Sequence, residues 1–456
     1  MILVLVVIEF IIGGSMSRRL YAISFVLFIL GLSLIGLYFS FARETDELKD
    51  INVTYNNYKD YMLTLDVSRD SDNLYCVVSK EGKKKEMKFE KVIDKKCLYE
   101  VKDSGSYYVY LKENDVVSEY KINKVLDIIV KKDTYFLAEK DVSEIKYDVI
   151  ELGKNDILLK SSDYNVISIS NNIMNSNVKG NAKVIISNGD VKKEVSVVVT
   201  NLINKMPKEF NYDKKNLPCN NYSDDDAELL DKILYDRVEE AGNSTRAGVV
   251  AAVRFLTLEF PYKIKYFSEN GRMANYSGGK KVDGEGRYYH KGLYLSYEKT
   301  KDIKYSLNGP APWGCSIYSN PSKGNRQNGL DCSGFITWVV YNGGFDIEDL
   351  GAYGGSKKYK NLNDVGEEHK LTKDLALSNK IKAGDLLGEV SVSEGHSAIV
   401  VGIDKDYYYI GESLWISPYG VNINKYKKEE LHKYFETVNL MDSFYKKDGN
   451  YTSMWY

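Results

Sequence analysis

"NGLDCSGFITWVVYNGGF", residues 328–345, sets a single cysteine between turn-forming residues and an apolar run with helical spacing. Asp331 is a favoured N-cap residue, which puts Cys332 at the first helical position. Phe335, Ile336, Val339 and Val340 give the helix one buried face, and Gly343–Gly344 supplies the stop. A helix start offers unpaired N–H groups and a dipole that favour a thiolate, and leaves donors where an oxyanion would form. Small Ser333 and Gly334 let a carbonyl approach the sulfur.

A nucleophile of this kind needs a base, and the chain carries four histidines: His290, His369, His396 and His432. His369 and His432 stand in polar windows typical of solvated faces, and His290 sits in "RYYHKG". His396 opens "HSAIVVGI", a β-branched run that reads as a strand, where an imidazole is held rigidly. Asp404-Lys405-Asp406 then turns the chain into "YYYIGESLW". A three-residue turn pairs Ile403 with Tyr407 and Ala398 with Glu412, so Glu412 and His396 share a face. A two-residue turn shifts the parity and presents Ser413 instead. Glu412 is preferred, because a carboxylate can fix the imidazole tautomer and stabilise an imidazolium.

"LDCSGFITWVVYNGGF", "AGDLLGEV" and "EGHSAIVVGI", in that order, resemble the three blocks of the NlpC-type cell-wall cysteine peptidases, over roughly residues 305–440. The resemblance implies a papain-like α+β fold with Cys332 as nucleophile, His396 as base and Glu412 as the orienting residue. The implied substrate is the stem peptide of peptidoglycan. Glu412 lies further from the histidine than the family's third residue usually does, by an even number of positions, so the face is preserved. Glutamate is itself a departure, since a histidine or polar amide is usual there. Upstream, "GPAPWGCSIY" keeps Trp313 and Gly314 of a family block but has Ala311 where a tyrosine is common and Cys315 for the second glycine. Trp313, Asp331 and Ser333 are the implied substrate-contacting residues. No cofactor is implied, and no metal, as the chain has no His-Glu-x-x-His motif. Acyl transfer or amide hydrolysis on another substrate is an alternative on the same fold. A non-catalytic wall-binding protein is a third reading, against which the intact Asp-Cys-Ser-Gly and Gly-His blocks argue.

The rest of the 456 residues points to a multidomain chain displayed outside a membrane. Residues 20–42 form an uncharged apolar run long enough to span a bilayer, with Arg18 and Arg19 before it and Glu44, Asp46 and Glu47 after it. That asymmetry places residues 1–19 in the cytoplasm and the remainder outside. A cleaved signal peptide, with Ser40 and Ala42 at its end, is the competing reading. The apolar stretch 1–15 lacks a basic start and carries Gly13-Gly14 just upstream of Met16, as expected if glycine codons there spell a ribosome-binding site and translation starts at Met16; a second short membrane-associated segment is the alternative. Short strands separated by turns mark a β-sandwich at 50–125 and a second at 126–202. In the second, "S-x-S", Gly180-Asn181-Ala182 and "VSVVVT" resemble bacterial Ig-like domains, and Ser187-Asn188-Gly189-Asp190 signals a hairpin. A linker at 203–225 leads to a helical and loop extension at 226–310 and the peptidase core at 311–456. A net charge of -2 gives no nucleic-acid footprint. Five cysteines are odd in number and sparse for this length, so at least one stays unpaired within the chain; Cys76 and Cys97 lie within one β-domain, and the sequence leaves open whether they pair. The expected partners are therefore peptidoglycan and the membrane.

Overall fold

The structure is a computed structural model that describes residues 48, 50–81, 87–153, 156–207, 217, 224–266, 329–345, 350–351, 360–361, 365–389 and 395–450. The anchor expected at 20–42, His290, Trp313, Cys219 and Cys315 lie outside the described residues. The chain divides into two compact units, one made of residues 1–133, 145–162 and 183–195, the other of 134–144, 163–182 and 196–456.

The first unit is a β-sandwich. One sheet is formed by Val53–Lys59, Met62–Val67 and Lys96–Glu100. The other runs in the order Glu90–Lys91, Leu74–Lys80, Gly105–Glu113, Tyr147–Leu152, Lys124–Val130, with Val116–Tyr120 also pairing to Gly105–Glu113. Alternation along Met62–Val67 turns Leu63, Leu65 and Val67 inward, where they share a core with Leu74, Val78, Val109 and Leu111 of the facing sheet. The Cys76–Cys97 disulfide joins the two sheets, its Cα atoms 6.1 Å apart. "SEYKINKV" alternates throughout, yet one strand ends in it at Tyr120 and another begins at Lys124. "EMKFEKV" keeps only Glu90–Lys91 in a ladder.

In the second unit, Val142–Glu144, Ile173–Ser176 and Ile167–Ser170 form a small antiparallel sheet, and Ser196–Thr200 pairs in parallel with Thr134–Ala138. Three helices follow. Helix α1 is Asp224–Ala241, with its acidic residues at the favourable end. Helix α2, Arg246–Arg254, is capped by the Thr245 side chain and continues as a π-turn over Phe255–Glu259 before Pro261. Helix α3, Cys332–Asn342, starts at the Asp331 cap and ends at Gly343, with Gly344 at φ +99.

A six-stranded antiparallel sheet carries the rest. Its strands are β1 (Glu367–Lys370), β2 (Leu386–Glu389), β3 (His396–Ile403), β4 (Tyr407–Leu414), β5 (Gly420–Lys427) and β6 (Thr437–Leu440), in the order β1-β6-β2-β3-β4-β5. One face, with Ile399, Val401 and Tyr409, packs on Val253 of α2 and on Phe335, Ile336 and Val339 of α3. The opposite face, with Ala398, Val400, Tyr408 and Ile410, is covered by the short helix α4 (Lys373–Leu377) and by Leu431 and Phe435. Both faces of the central strands are thus apolar, which explains the unbroken "SAIVV" of β3.

Candidate active site

Helix α3 begins as its residues dictate. The Asp331 carboxylate accepts the Gly334 N–H at 2.6 Å, satisfying one orphan donor of the first turn. Cys332 follows, 7% exposed, with its sulfur 3.9 Å from the Gly395 carbonyl oxygen. The side chain of Ser333 is buried and its hydroxyl lies 3.4 Å from Asp331 Oδ1. Asp331 and Ser333 therefore shape the turn with their side chains and leave backbone groups facing the thiol.

The chain positions His396 through β3, immediately after Gly395, so the cysteine and histidine meet where the helix start reaches the end of the strand. His396 Nε2 lies 2.7 Å from Glu412 Oε2. Cys332 is near enough to the imidazole to favour its charged form. With Nε2 facing Glu412, Nδ1 is the nitrogen left for the sulfur. The ring also stacks on Phe435, with centroids 6.2 Å apart and planes 23° apart.

Burial of His396 disfavours its charged form, but the bonds and charges of Cys332 and Glu412 outweigh it and push the imidazole up from 6.5 to about 10. The site therefore holds a proton on His396 through neutral pH. Glu412 is 1% exposed, and its carboxylate is fully engaged. Oε2 faces the imidazole, while Oε1 accepts the Asn424 amide at 2.8 Å and the Tyr426 hydroxyl at 2.7 Å. A buried carboxylate would be costly without such donors. Burial, followed by the Glu412 charge, raises the Tyr426 phenol, which stays a neutral donor. Across the ladder from His396 stands Glu389 of β2.

The hairpin reaches this geometry by a route different from the expected one. Asp404 N donates to Tyr407 O at 3.1 Å, and Asp404 Oδ1 accepts from Asp406 N and Tyr407 N, so the turn has two residues, Lys405 and Asp406. Ile403 accordingly pairs with Tyr408, not Tyr407. A β-bulge between Val400 and Gly402 then adds one residue to β3, and Ala398 pairs with Glu412 after all. Ser413 projects to the other side, buried, and donates to the Leu330 carbonyl at 2.7 Å. Of the other histidines, His369 is exposed on the edge strand β1. The Asp385 of "AGDLLGEV" is not at the thiol: it is buried against Arg246, 2.8 Å away, and also accepts Met441 N.

Asn424, Tyr426 and Phe435 were not evident from the residue pattern around Cys332 and His396. A signal for the first two does exist in "GVNINKYK": Asn422, Asn424 and Tyr426 alternate with the core-facing Val421 and Ile423. Polar residues in that period, on a strand adjoining Glu412, mark a face with something to bond.

No protein-family model matches the chain, and no characterised protein matches it. Among similar solved structures, domains 4 and 5 of the S-layer protein SbsC align with 21% of this chain and 65% of theirs, at 17% identity and a TM-score of 0.16. The tandem Ig repeats of Dlar align with 33% of this chain and 97% of theirs, at 11% identity and a TM-score of 0.14. The insect immune protein hemolin aligns with 34% of this chain and 48% of its own, at 12% identity and a TM-score of 0.18. These are Ig-like and surface-layer β-modules, and likeness at that level decides nothing about function.

Proposed function

We propose that the chain is a cysteine peptidase of papain-like architecture that cleaves amide bonds in peptidoglycan stem peptides, working outside the cell on a membrane anchor. The observation that carries this reading is that the Cys332 sulfur lies against Gly395, the residue before His396, whose imidazole bonds a Glu412 carboxylate held in turn by Asn424 and Tyr426. The anchor, the wall substrate and the papain-like assignment rest on the sequence motifs.

The chemistry follows from the arrangement. His396 holds the proton of Cys332, leaving a thiolate that adds to the peptide carbonyl carbon. The oxyanion develops beside the backbone N–H groups at the start of α3. Collapse of the tetrahedral intermediate transfers the imidazolium proton to the departing amine and leaves a thioester on Cys332. Water, deprotonated by His396, then hydrolyses the thioester and restores the thiol. Glu412 keeps Nε2 protonated and the ring oriented throughout, which is the task of the third group in such sites.

The test is to incubate the full chain with purified peptidoglycan and identify released fragments by mass spectrometry, beside Cys332→Ala. Fragments with new amino and carboxyl ends, released by the parent and not by the variant, are expected. Equal release by both would remove Cys332 from the chemistry, and no release by the parent would remove the wall peptide as substrate.

A further inference from the structure

Residues 262–265 form an extended segment inserted beside the site. On one side Val421 N donates to Ile264 O at 2.9 Å, and on the other Leu330 N donates to Lys265 O at 3.1 Å. The segment therefore lies between β5, the strand next to Glu412, and the residues that lead directly into Cys332. Two glycines make room for it. A Cβ at Gly329 would collide with the Lys265 carbonyl, and one at Gly420, where φ is +84, would collide with the Ile264 carbonyl.

The middle residue, Ile264, is 1% exposed and points into the core beneath the helices. In an extended segment its neighbours must project the other way, so Lys263 and Lys265 share the opposite face. The Lys263 ammonium donates to the Asn422 side-chain oxygen. Asn422 is the direct cross-strand partner of Glu412, so its side chain stands on the Glu412 face of the sheet. The lysines consequently border the surface that holds the catalytic pair. Among the described residues, neither makes an ion pair with a carboxylate. Burial, then the charge of Lys265, pushes the Lys263 ammonium down to about 8. Two cations held together without an anion cost free energy unless a ligand supplies the charge.

We propose that Lys263 and Lys265 form an anion subsite that holds a free carboxylate of the peptide substrate beside the scissile amide. The inference rests on the cysteine-peptidase reading and names a chemical requirement of its substrate: a carboxylate near the bond that is cut. Asn422 positions the subsite, since it bonds Lys263 through its oxygen and the Pro418 and Gly420 carbonyls through its amide nitrogen.

The test uses the thiol itself as probe. Iodoacetate and iodoacetamide alkylate cysteine by the same displacement, the sulfur displacing iodide, and differ in that one carries a carboxylate. Rate constants for Cys332 with each reagent are measured on the full chain in low salt, by mass spectrometry of the peptide that contains it. Taking a separation of about 8 Å as the scale, two unit charges change the reaction of the reagent anion by about fivefold even at the dielectric constant of water. The iodoacetate-to-iodoacetamide ratio should therefore fall about fivefold in Lys263→Met/Lys265→Met and stay near the parent value in Lys263→Arg/Lys265→Arg. A loosened fold moves both rates and cancels in the ratio. An unchanged ratio in the methionine variant overturns the proposal, as does an equal fall in the arginine variant. Failure of the peptidase reading is seen separately, as a parent Cys332 no faster with iodoacetamide than in the unfolded chain. The ratio still judges the lysines in that case.

Discussion

Replacing Glu412 by glutamine keeps the length and shape of the side chain and removes its charge. In the parent, the rise of His396 from 6.5 to about 10 corresponds to about 5 kcal/mol in favour of imidazolium. Burial works against that charge, so the attraction from Cys332 and Glu412 together exceeds the net figure. Glu412 acts through a 2.7 Å hydrogen bond as well as its charge. The substituted side chain could still accept from Nε2–H through its amide oxygen, but it carries no charge. Losing the share of Glu412 should lower the His396 midpoint by about two units. Cys332 remains beside the ring, as does Glu389 across the ladder, so the imidazole should not fall below its ordinary range.

Histidine-selective NMR reads this without any substrate. The chain has four histidines, and His396→Ala identifies the signal of interest. In the parent, the His396 ring should remain protonated until about pH 10, whereas in Glu412→Gln it should titrate near pH 8. If the variant forms a competent site, the alkaline limb of its pH–rate profile should move by the same amount. Equal midpoints in the two proteins would refute the reasoning, because they would mean that Glu412 exerts no field on the imidazole. In the variant, the new amide nitrogen must face Asn424 and Tyr426, which in the parent donate to Oε1 of Glu412. Rearranging those donors costs about 1–3 kcal/mol, so a thermal melt of the variant accompanies the titration.

The same linkage sets a pH dependence of stability. A group raised on folding stabilises fully below its unfolded value and loses that contribution as pH rises through its folded value. The melting midpoint should therefore decline between pH 6.5 and about 10, and in Glu412→Gln the decline attributable to His396 should end about two units earlier. A second prediction concerns Arg246, 2% exposed, which bonds Asp385 at 2.8 Å and the Ala383 carbonyl at 2.9 Å. Arg246→Met strands the buried Asp385 carboxylate and should cost about 3–5 kcal/mol by chemical denaturation, with part of that recovered in Arg246→Met/Asp385→Leu. A third concerns the Cys76–Cys97 bridge, which closes a loop of 21 residues' separation. Replacing both cysteines by serine should destabilise the first unit by about 3 kcal/mol in denaturant titrations, while iodoacetamide still modifies Cys332 at the parent rate.

What could be read from the residues alone was local. Asp331 as cap, Cys332 as first helical residue and the stop at Gly343 follow from chemistry within one helix, and the helix forms as that chemistry dictates. The cap at Thr245 is of the same kind. What escaped depends on which segments become neighbours. Asn424 and Tyr426 matter only because β5 lies beside β4, and Asp385 meets Arg246 across a separation of 139 residues. Lys263 and Lys265 gain meaning only when two glycines admit their segment between Leu330 and Val421. Strand boundaries in the first unit failed where alternation ran on through a turn, since period-2 patterning marks faces and not ends.

The hairpin shows how a different turn length can still set Glu412 beside His396, and why. A two-residue turn alone would set Ser413 opposite Ala398 and send Glu412 to the far side of the sheet. The bulge between Val400 and Gly402 adds one residue to β3 and cancels that shift before the strand reaches His396. Turn and bulge together have the parity of a longer turn, and parity is all that the relation between His396 and Glu412 requires. The same count places Ser413 toward Leu330, where its hydroxyl ties β4 to the segment that enters Cys332. One inserted residue thus fixes both the carboxylate on the histidine and the anchor on the segment that leads into Cys332.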